Sequence, residues 1–154
     1  MKELSFEYLL NKIIESISMI SIIDGIESFQ LSDSFLLKLD NGDVIQILND
    51  NNKVRFLKIE SKSEIVLLSD YEIEGQPNIV MDEIVVNLKR IKIFQNYTSK
   101  GSNYFFGTKI LDEEENFILG FFYGFDEIEY TLDIVDFENA LLHYKEDYVV
   151  NVIR

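Results

Sequence analysis

The sequence predicts an α+β domain: an N-terminal amphipathic helix packed on a curved, mainly antiparallel sheet or partly open barrel. Three observations carry this. Near the N-terminus apolar residues recur at spacings of three and four, the period of one helical face. From Ile26 onward the period changes to two, in runs separated by short polar turns. The stretch Tyr104–Phe125, YFFGTKILDEEENFILGFFYGF, reads as two apolar strands around an acidic turn and holds the longest charge-free run in the chain, Asn116–Phe125.

The helix is expected over Ser5 to about Ile20. Phe6, Leu9, Leu10, Ile13, Ile14, Ile17 and Ile20 form one stripe, with Glu7, Asn11, Lys12, Glu15 and Ser18 opposite. Ser5 suits the N-cap, and Asp24-Gly25 ends the element. Ile26–Leu31 reads as a strand. Phe35–Leu39 and Val44–Leu48 read as a hairpin around Asp40-Asn41-Gly42-Asp43. A three-residue loop with Gly42 left-handed pairs Leu37 with Ile45 and Phe35 with Ile47, which keeps one face wholly apolar. Asn49–Lys53 is a polar turn. Val54–Glu60 and Ile65–Ser69 are further strands. In the first, Val54 and Phe56 share one face while Arg55, Leu57 and Ile59 share the other.

Tyr71–Met81, with the only proline (Pro77), reads as an irregular connection. Ile84–Phe94 reads as one long basic strand, and Tyr97–Asn103 as a polar loop. In the central hairpin a four-residue turn, Asp112–Glu115, pairs Ile110 with Phe117, Thr108 with Leu119, Phe106 with Phe121 and Tyr104 with Tyr123. Gly107 then faces Gly120 on the reverse side. Glycines inside a strand mark close approach by another element, so a helix is expected across Gly107, Gly120 and Gly124, with the N-terminal stripe the candidate. Ile128–Val135, Phe137–Tyr144 and Tyr148–Ile153 complete the strands.

The 154 residues form a single domain, 1–154, that is 47% hydrophobic, which excludes intrinsic disorder. There is no cysteine, hence no disulfide framework and no thiolate zinc site. The charge-free runs fall far short of the roughly 20 residues a membrane helix needs. Glu3, Glu7 and Glu15 stand where a secretion leader would be cationic, so the expected location is the cytoplasm.

Net charge is −14 and unevenly spread. Residues 84–111 carry five basic residues and no acid, whereas residues 112–154 carry 12 acidic and 2 basic residues. Such a protein repels nucleic acid and anionic membranes and attracts basic partners.

No catalytic constellation is visible. His143 is the only histidine and has no triad or metal partners. No serine lies in Gly-x-Ser-x-Gly, and no phosphate loop is present. Asp40–Asp43 and Asp50–Asn52 lack the calcium-loop spacing and read as turns. The expectation is therefore a non-enzyme without cofactor or metal.

The acidic clusters remain. Asp112, Glu113, Glu114 and Glu115 share one turn; Asp126, Glu127, Glu129 and Asp133 follow, with Tyr130 among them. Carboxylates with tyrosines at hand (Tyr123, Tyr130, Tyr144, Tyr148) suit a lysine- and arginine-rich protein surface. The reading that results is a bacterial immunity-type inhibitor that binds a cationic toxin, such as a nuclease, and occludes its active site. Two other classes fit the composition: a small-molecule or peptide-binding module with an aromatic pocket near Phe106, Phe121 and Tyr123, or an assembly subunit that adds an edge strand. Oligomeric state is not legible.

Overall fold

The computed structural model describes residues 2–67, 78–85, 89–101, 104–124, 127–144 and 147–154. Two antiparallel sheets face each other. The first contains β1 (Lys2–Leu4), β2 (Ile14–Asp24), β3 (Glu27–Leu39), β4 (Val44–Asp50), β5 (Lys53–Ile59) and β6 (Asn78–Val85), in the order β1-β5-β4-β3-β2-β6. The second contains β7 (Ile93–Ser99), β8 (Phe105–Leu111), β9 (Phe117–Tyr123), β10 (Ile128–Thr131) and β11 (Tyr148–Ile153), in the order β10-β9-β8-β7-β11. A single helical turn, α1 (Phe6–Leu9), links β1 to β2, and α2 (Ile134–Leu141) links β10 to β11. The sheets do not close into a barrel. The mainly antiparallel character matches the expectation.

The largest core lies between the sheets. It joins Ile17, Phe35, Leu37, Ile45, Ile47 and Phe56 from the first to Phe94, Ile110, Leu119, Phe121 and Tyr123 from the second. Phe6 of α1 enters this layer and meets Phe56 and Phe94 edge-on, at 4.7 and 5.1 Å between centroids. The outer face of the first sheet is covered by the chain after β5. Ile65 packs on Ile20, Ile22, Leu36 and Ile59. The buried Gln46 side chain fixes that segment, because its Nε2 donates to the Val66 carbonyl at 3.0 Å and its Oε1 accepts from Val66 N–H at 2.8 Å. The outer face of the second sheet is covered by α2, whose Phe137 and Leu141 pack on Tyr97 and Phe106.

The helix expected over Ser5–Ile20 is not there. Helix is confined to Phe6–Leu9, and Ile14–Asp24 is strand. β2 is buried on both faces: Ile14 and Ile17 enter the inter-sheet core, Ile20 and Ile22 the core beneath Ile65. A bulge between Ile14 and Ser16 inserts one residue and shifts the alternation. Two buried faces plus one bulge reproduce apolar spacings of three and four, and β-branched isoleucine favours the strand. Asp24-Gly25 opens the β2–β3 hairpin, in which Asp24 pairs with Glu27.

The Asp40–Gly42 loop has the expected register, with Leu37 opposite Ile45 and Phe35 opposite Ile47. Gly42 is left-handed, φ +89°. β5 divides its faces as expected, and β11 has the expected bounds.

Several strands differ. Ile65–Leu67 is not strand, and residues 68–70 lie outside the described residues. The expected connection Tyr71–Met81 lies outside them through residue 77, and Asn78–Met81 belongs to β6. The expected strand Ile84–Phe94 is divided between β6 and β7; residues 86–88 lie outside the described residues, and Ile91 is buried between the strands. Tyr97–Ser99 extends β7 rather than forming a loop, and residues 102–103 lie outside the described residues. Ile128–Val135 stops as strand at Thr131. Phe137–Tyr144 is helical, because Asp133 caps α2 and its carboxylate accepts from Val135 N–H.

The central hairpin forms, but its register is two residues from the expected one. Ile110 faces Leu119, Thr108 faces Phe121 and Lys109 faces Gly120, with an irregularity between Ile110 and Leu111. That irregularity turns Phe117 to the α2 side while Leu119, Phe121 and Tyr123 keep the inward face. A helix does cross Gly120, but it is α2. A Cβ at residue 120 would lie 2.3 Å from Phe137 Cδ2. At Gly107 the nearest side-chain atom is in the Phe122 ring, 3.3 Å away, and a Cβ at residue 124 would meet only Glu127 Cβ, at 3.8 Å.

Gly120→Ala should therefore cost about 1–3 kcal/mol in urea denaturation, the range of an overpacked core. Part of that loss should return when Phe137→Leu is added. A cost below about 0.5 kcal/mol would mean α2 docks more loosely than described.

The Tyr8 hydroxyl donates to the Asp43 carboxylate, which Lys58 Nζ also approaches at 3.4 Å. These contacts hold Asp43 below its ordinary carboxylate pKa, Tyr8 being the largest cause, against an opposing effect of burial. Because the folded value is the lower one, the stabilisation is complete above the unfolded pKa and fades as pH falls through the folded one. Asp43→Asn should flatten the loss of stability between about pH 5 and pH 3, read from urea midpoints across that range.

Candidate functional site: an acidic turn beside the N-terminus of a short helix

The β8–β9 turn is built on Asp112. Its backbone N–H donates to the Asn116 carbonyl at 2.9 Å, and its carbonyl accepts from Glu115 N–H at 3.1 Å. Its Oδ1 accepts from the N–H groups of Glu114 and Asn116, both at 2.9 Å. Asp112 is 4% exposed, with Lys89 Nζ 3.9 Å from Oδ2. It scaffolds the turn and offers a partner nothing. Glu113, Glu114 and Glu115 are exposed, and Glu115 is left-handed, φ +62°.

The second acidic group begins where β10 ends. Thr131 faces Gly120, so the chain leaves β10 beside the start of β9. Thr131 Oγ1 accepts from Asp133 N–H at 3.1 Å, and Asp133 Oδ1 accepts from Val135 N–H at 2.8 Å. Asp136 occupies the first turn of α2, where the positive end of the helix dipole favours a carboxylate. Between the acidic turn and α2 lies an open groove of about 810 Å³ lined by Asn116, Phe117, Tyr130, Thr131, Leu132, Asp133, Ile134 and Asp136. A neighbouring groove of about 450 Å³ shares Asn116, Phe117 and Ile134 and adds Glu115 and Lys109. Lys109 is engaged there: its Nζ lies 3.3 Å from Glu138 Oε1 and 5.7 Å from the Phe137 ring centre.

The residues singled out in the sequence therefore fall into two groups. Glu115 and Asp133 border these connected grooves, and Glu113 and Glu114 stand exposed on the same turn. Glu127, just before β10, and Glu129 within it are exposed and border a different groove of about 330 Å³, with Met19, Gln30, Leu31 and Ser32. Tyr130 lines both grooves. Its ring packs on Phe35 at 5.4 Å, and burial raises its hydroxyl pKa. Asp126 lies outside the described residues. Phe117, Leu132 and Ile134, the apolar part of the groove, were not legible as site residues. The usable signal was Asp133-Ile-Val-Asp136, a capping pattern that starts a helix.

The three rings near which an aromatic pocket was expected are fully buried: Phe106, Phe121 and Tyr123 are at most 1% exposed. They lie on opposite faces of the second sheet, Phe106 under α2 and the other two between the sheets. Tyr123 likewise offers no anchor at the surface, Tyr148 is packed beneath α2, and the Tyr144 side chain lies outside the described residues. His143 is exposed in the turn after α2. Among the described residues no group of three His, Cys, Asp or Glu could hold a metal ion, and no helix is long and apolar enough to cross a membrane.

Two substitutions separate scaffold from surface. Asp112→Ala strands two backbone N–H groups and should cost about 1–3 kcal/mol in urea denaturation. Glu115→Gly relieves a left-handed side-chain residue and should gain about 0.5–1 kcal/mol. Equal, near-zero effects would contradict this division of roles.

Comparison with known protein families, with curated proteins and with solved structures finds no match to this chain.

Proposed function

We propose that this protein is a bacterial immunity-type inhibitor, acting in the cytoplasm, that neutralises a cationic toxin by covering its active site, a nuclease being the kind of toxin that fits best. The observation that carries the reading is the groove between the β8–β9 turn and α2. Phe117, Leu132 and Ile134 give it apolar surface, and Glu115, Asp133 and Asp136 border it with negative charge. An apolar centre within a charged rim is the anatomy of protein-binding patches. The active site of a nuclease must attract phosphates, so it presents lysine and arginine to which this rim is complementary. The net charge of −14 would draw such a partner in by long-range steering. Inhibition is stoichiometric and requires no chemistry from the inhibitor.

The test uses the basic toxin domain that the reading expects beside this gene. Co-expression should suppress its toxicity, and complex formation should be fast and weaken with salt. Replacing Glu113, Glu114, Glu115, Asp133 and Asp136 together with Ser should lower affinity by on the order of a hundredfold, mainly through slower association, because rim charges act on the on-rate. Unchanged affinity would overturn the proposed surface.

A further inference from the structure

We propose that β11 pairs with β11 of a second copy of this chain, joining two five-stranded sheets edge to edge. An open sheet edge exposes a row of unpaired N–H and C=O groups, and proteins that must stay apart blunt it with charge, proline or brevity. Among the described strands there are four edges, and three of them are blunted. β1 has three residues and carries Lys2 and Glu3. β6 carries Asp82 and Glu83. β10 has four residues and carries Glu129. β11 has six residues, Tyr-Val-Val-Asn-Val-Ile, with no charge, proline or glycine.

The orientation of its free groups follows from the β7 ladder. Lys100 N–H donates to the Asp147 carbonyl at 2.9 Å. Alternation along the strand then turns Asn151 and its odd-numbered neighbours towards β7, and Tyr148, Val150 and Val152 outward. Val149, Val150 and Val152 are 44%, 38% and 47% exposed, far more than valine needs on a covered edge.

A second copy is the occupant because the segment is self-complementary. With Asn151 opposite Asn151 of the second copy, Val150 meets Val152 of the second copy and Val149 meets Ile153 of the second copy. Val149, Val150, Val152 and Ile153 then each face an apolar side chain, Tyr148 meets Arg154 of the second copy, and the outward backbone groups are met in hydrogen-bonded pairs. Charge selects the same edge. A protein of net charge −14 repels itself, but β7 and β8 beside β11 carry no carboxylate, and their one charge, Lys109, is paired with Glu138. Contact through β11 thus keeps the acidic turn of each copy away from the other.

The prediction has a salt signature opposite to that of toxin binding. Like-charged copies associate more tightly as salt screens them, whereas an acidic inhibitor leaves a basic partner. Sedimentation of the full chain from about 1 μM to about 1 mM should show the mass rising from 18.0 kDa towards twice that value, more steeply at high salt. Val152→Lys places a charge on the edge without touching the β7 ladder and should hold the chain monomeric with unchanged melting. Hydrogen exchange on the native chain is the second reading, and the Val150 and Val152 amides should gain protection as concentration rises. A native chain that stays monomeric with no such gain would overturn self-pairing and leave the edge to a strand from another protein. A dimer that survives Val152→Lys would overturn it in favour of a different interface. Neither result bears on the proposed inhibitor surface, which lies at β8–β9 and α2.

Discussion

Phe137 lies on the backbone of Gly120, and the placement of the acidic groups depends on that contact. Its ring stacks on Phe122 at 4.6 Å and meets Phe117 at 5.9 Å. Each such pair contributes about 0.5–1.5 kcal/mol beyond burial. The approach is possible only because residue 120 has no Cβ, since the space a methyl group would need is already filled by the ring. Once Phe137 is seated, the first turn of α2 is fixed over the beginning of β9. Asp133 and Asp136 are thereby carried to the groove that the Asp112–Asn116 turn borders. The carboxylates converge because an apolar side chain is anchored; nothing about their own chemistry brings them together.

The opposite face of β9 joins the second sheet to the first. Leu119, Phe121 and Tyr123 face the first sheet, and the Tyr123 hydroxyl is taken out of water with them. Thr108 Oγ1 donates to Asn96 Oδ1 at 2.9 Å and lies 3.0 Å from the Tyr123 hydroxyl, which satisfies that polar group inside the core. Burial drives the Tyr123 pKa far upward, so the ring remains neutral. Just past Tyr123, Asn49 Nδ2 donates to the carbonyls of Gly124 and Glu127 at 2.9 and 2.7 Å. One amide from β4 thus ties the β9–β10 connection to the first sheet.

The legible parts of the sequence are those whose signal is local. Asn41-Gly42 marked a turn, and the demand for one apolar face chose its register. Tyr148–Ile153 is a short run of aromatic and β-branched residues. β2 was misread because burial on both faces removes alternation, and a bulge then supplies the spacing of a helix. Eight residues of α2 are too few for helical periodicity to outweigh Ile134, Val135 and Phe137, all of which favour strands; only the Asp133 cap distinguishes the two. At the candidate site the acidic residues were visible as composition. Which of them face solvent was not, because the burial of Asp112 is decided by hydrogen bonds within its own turn, and the groove depends on α2.

Two three-residue turns among the described residues make a comparison that bears on function. Leu39 N–H donates to the Asp43 carbonyl and Gly42 N–H to the Leu39 carbonyl; Asp112 N–H donates to the Asn116 carbonyl and Glu115 N–H to the Asp112 carbonyl. The hydrogen-bond pattern is the same, a tight turn closed by a left-handed residue. In the first that residue is glycine. In the second it is Glu115, which bears a conformational cost of about 1–2 kcal/mol that glycine would avoid. This is also why the second turn gave no glycine signal and was read one residue too loose. Asp112 offsets part of the cost by capping two N–H groups with its carboxylate. The turn therefore holds strain and a compensating buried acid, and the product of both is a carboxylate at residue 115 bordering the groove. A turn serving only to reverse the chain has a cheaper solution available, and this protein uses it at Gly42.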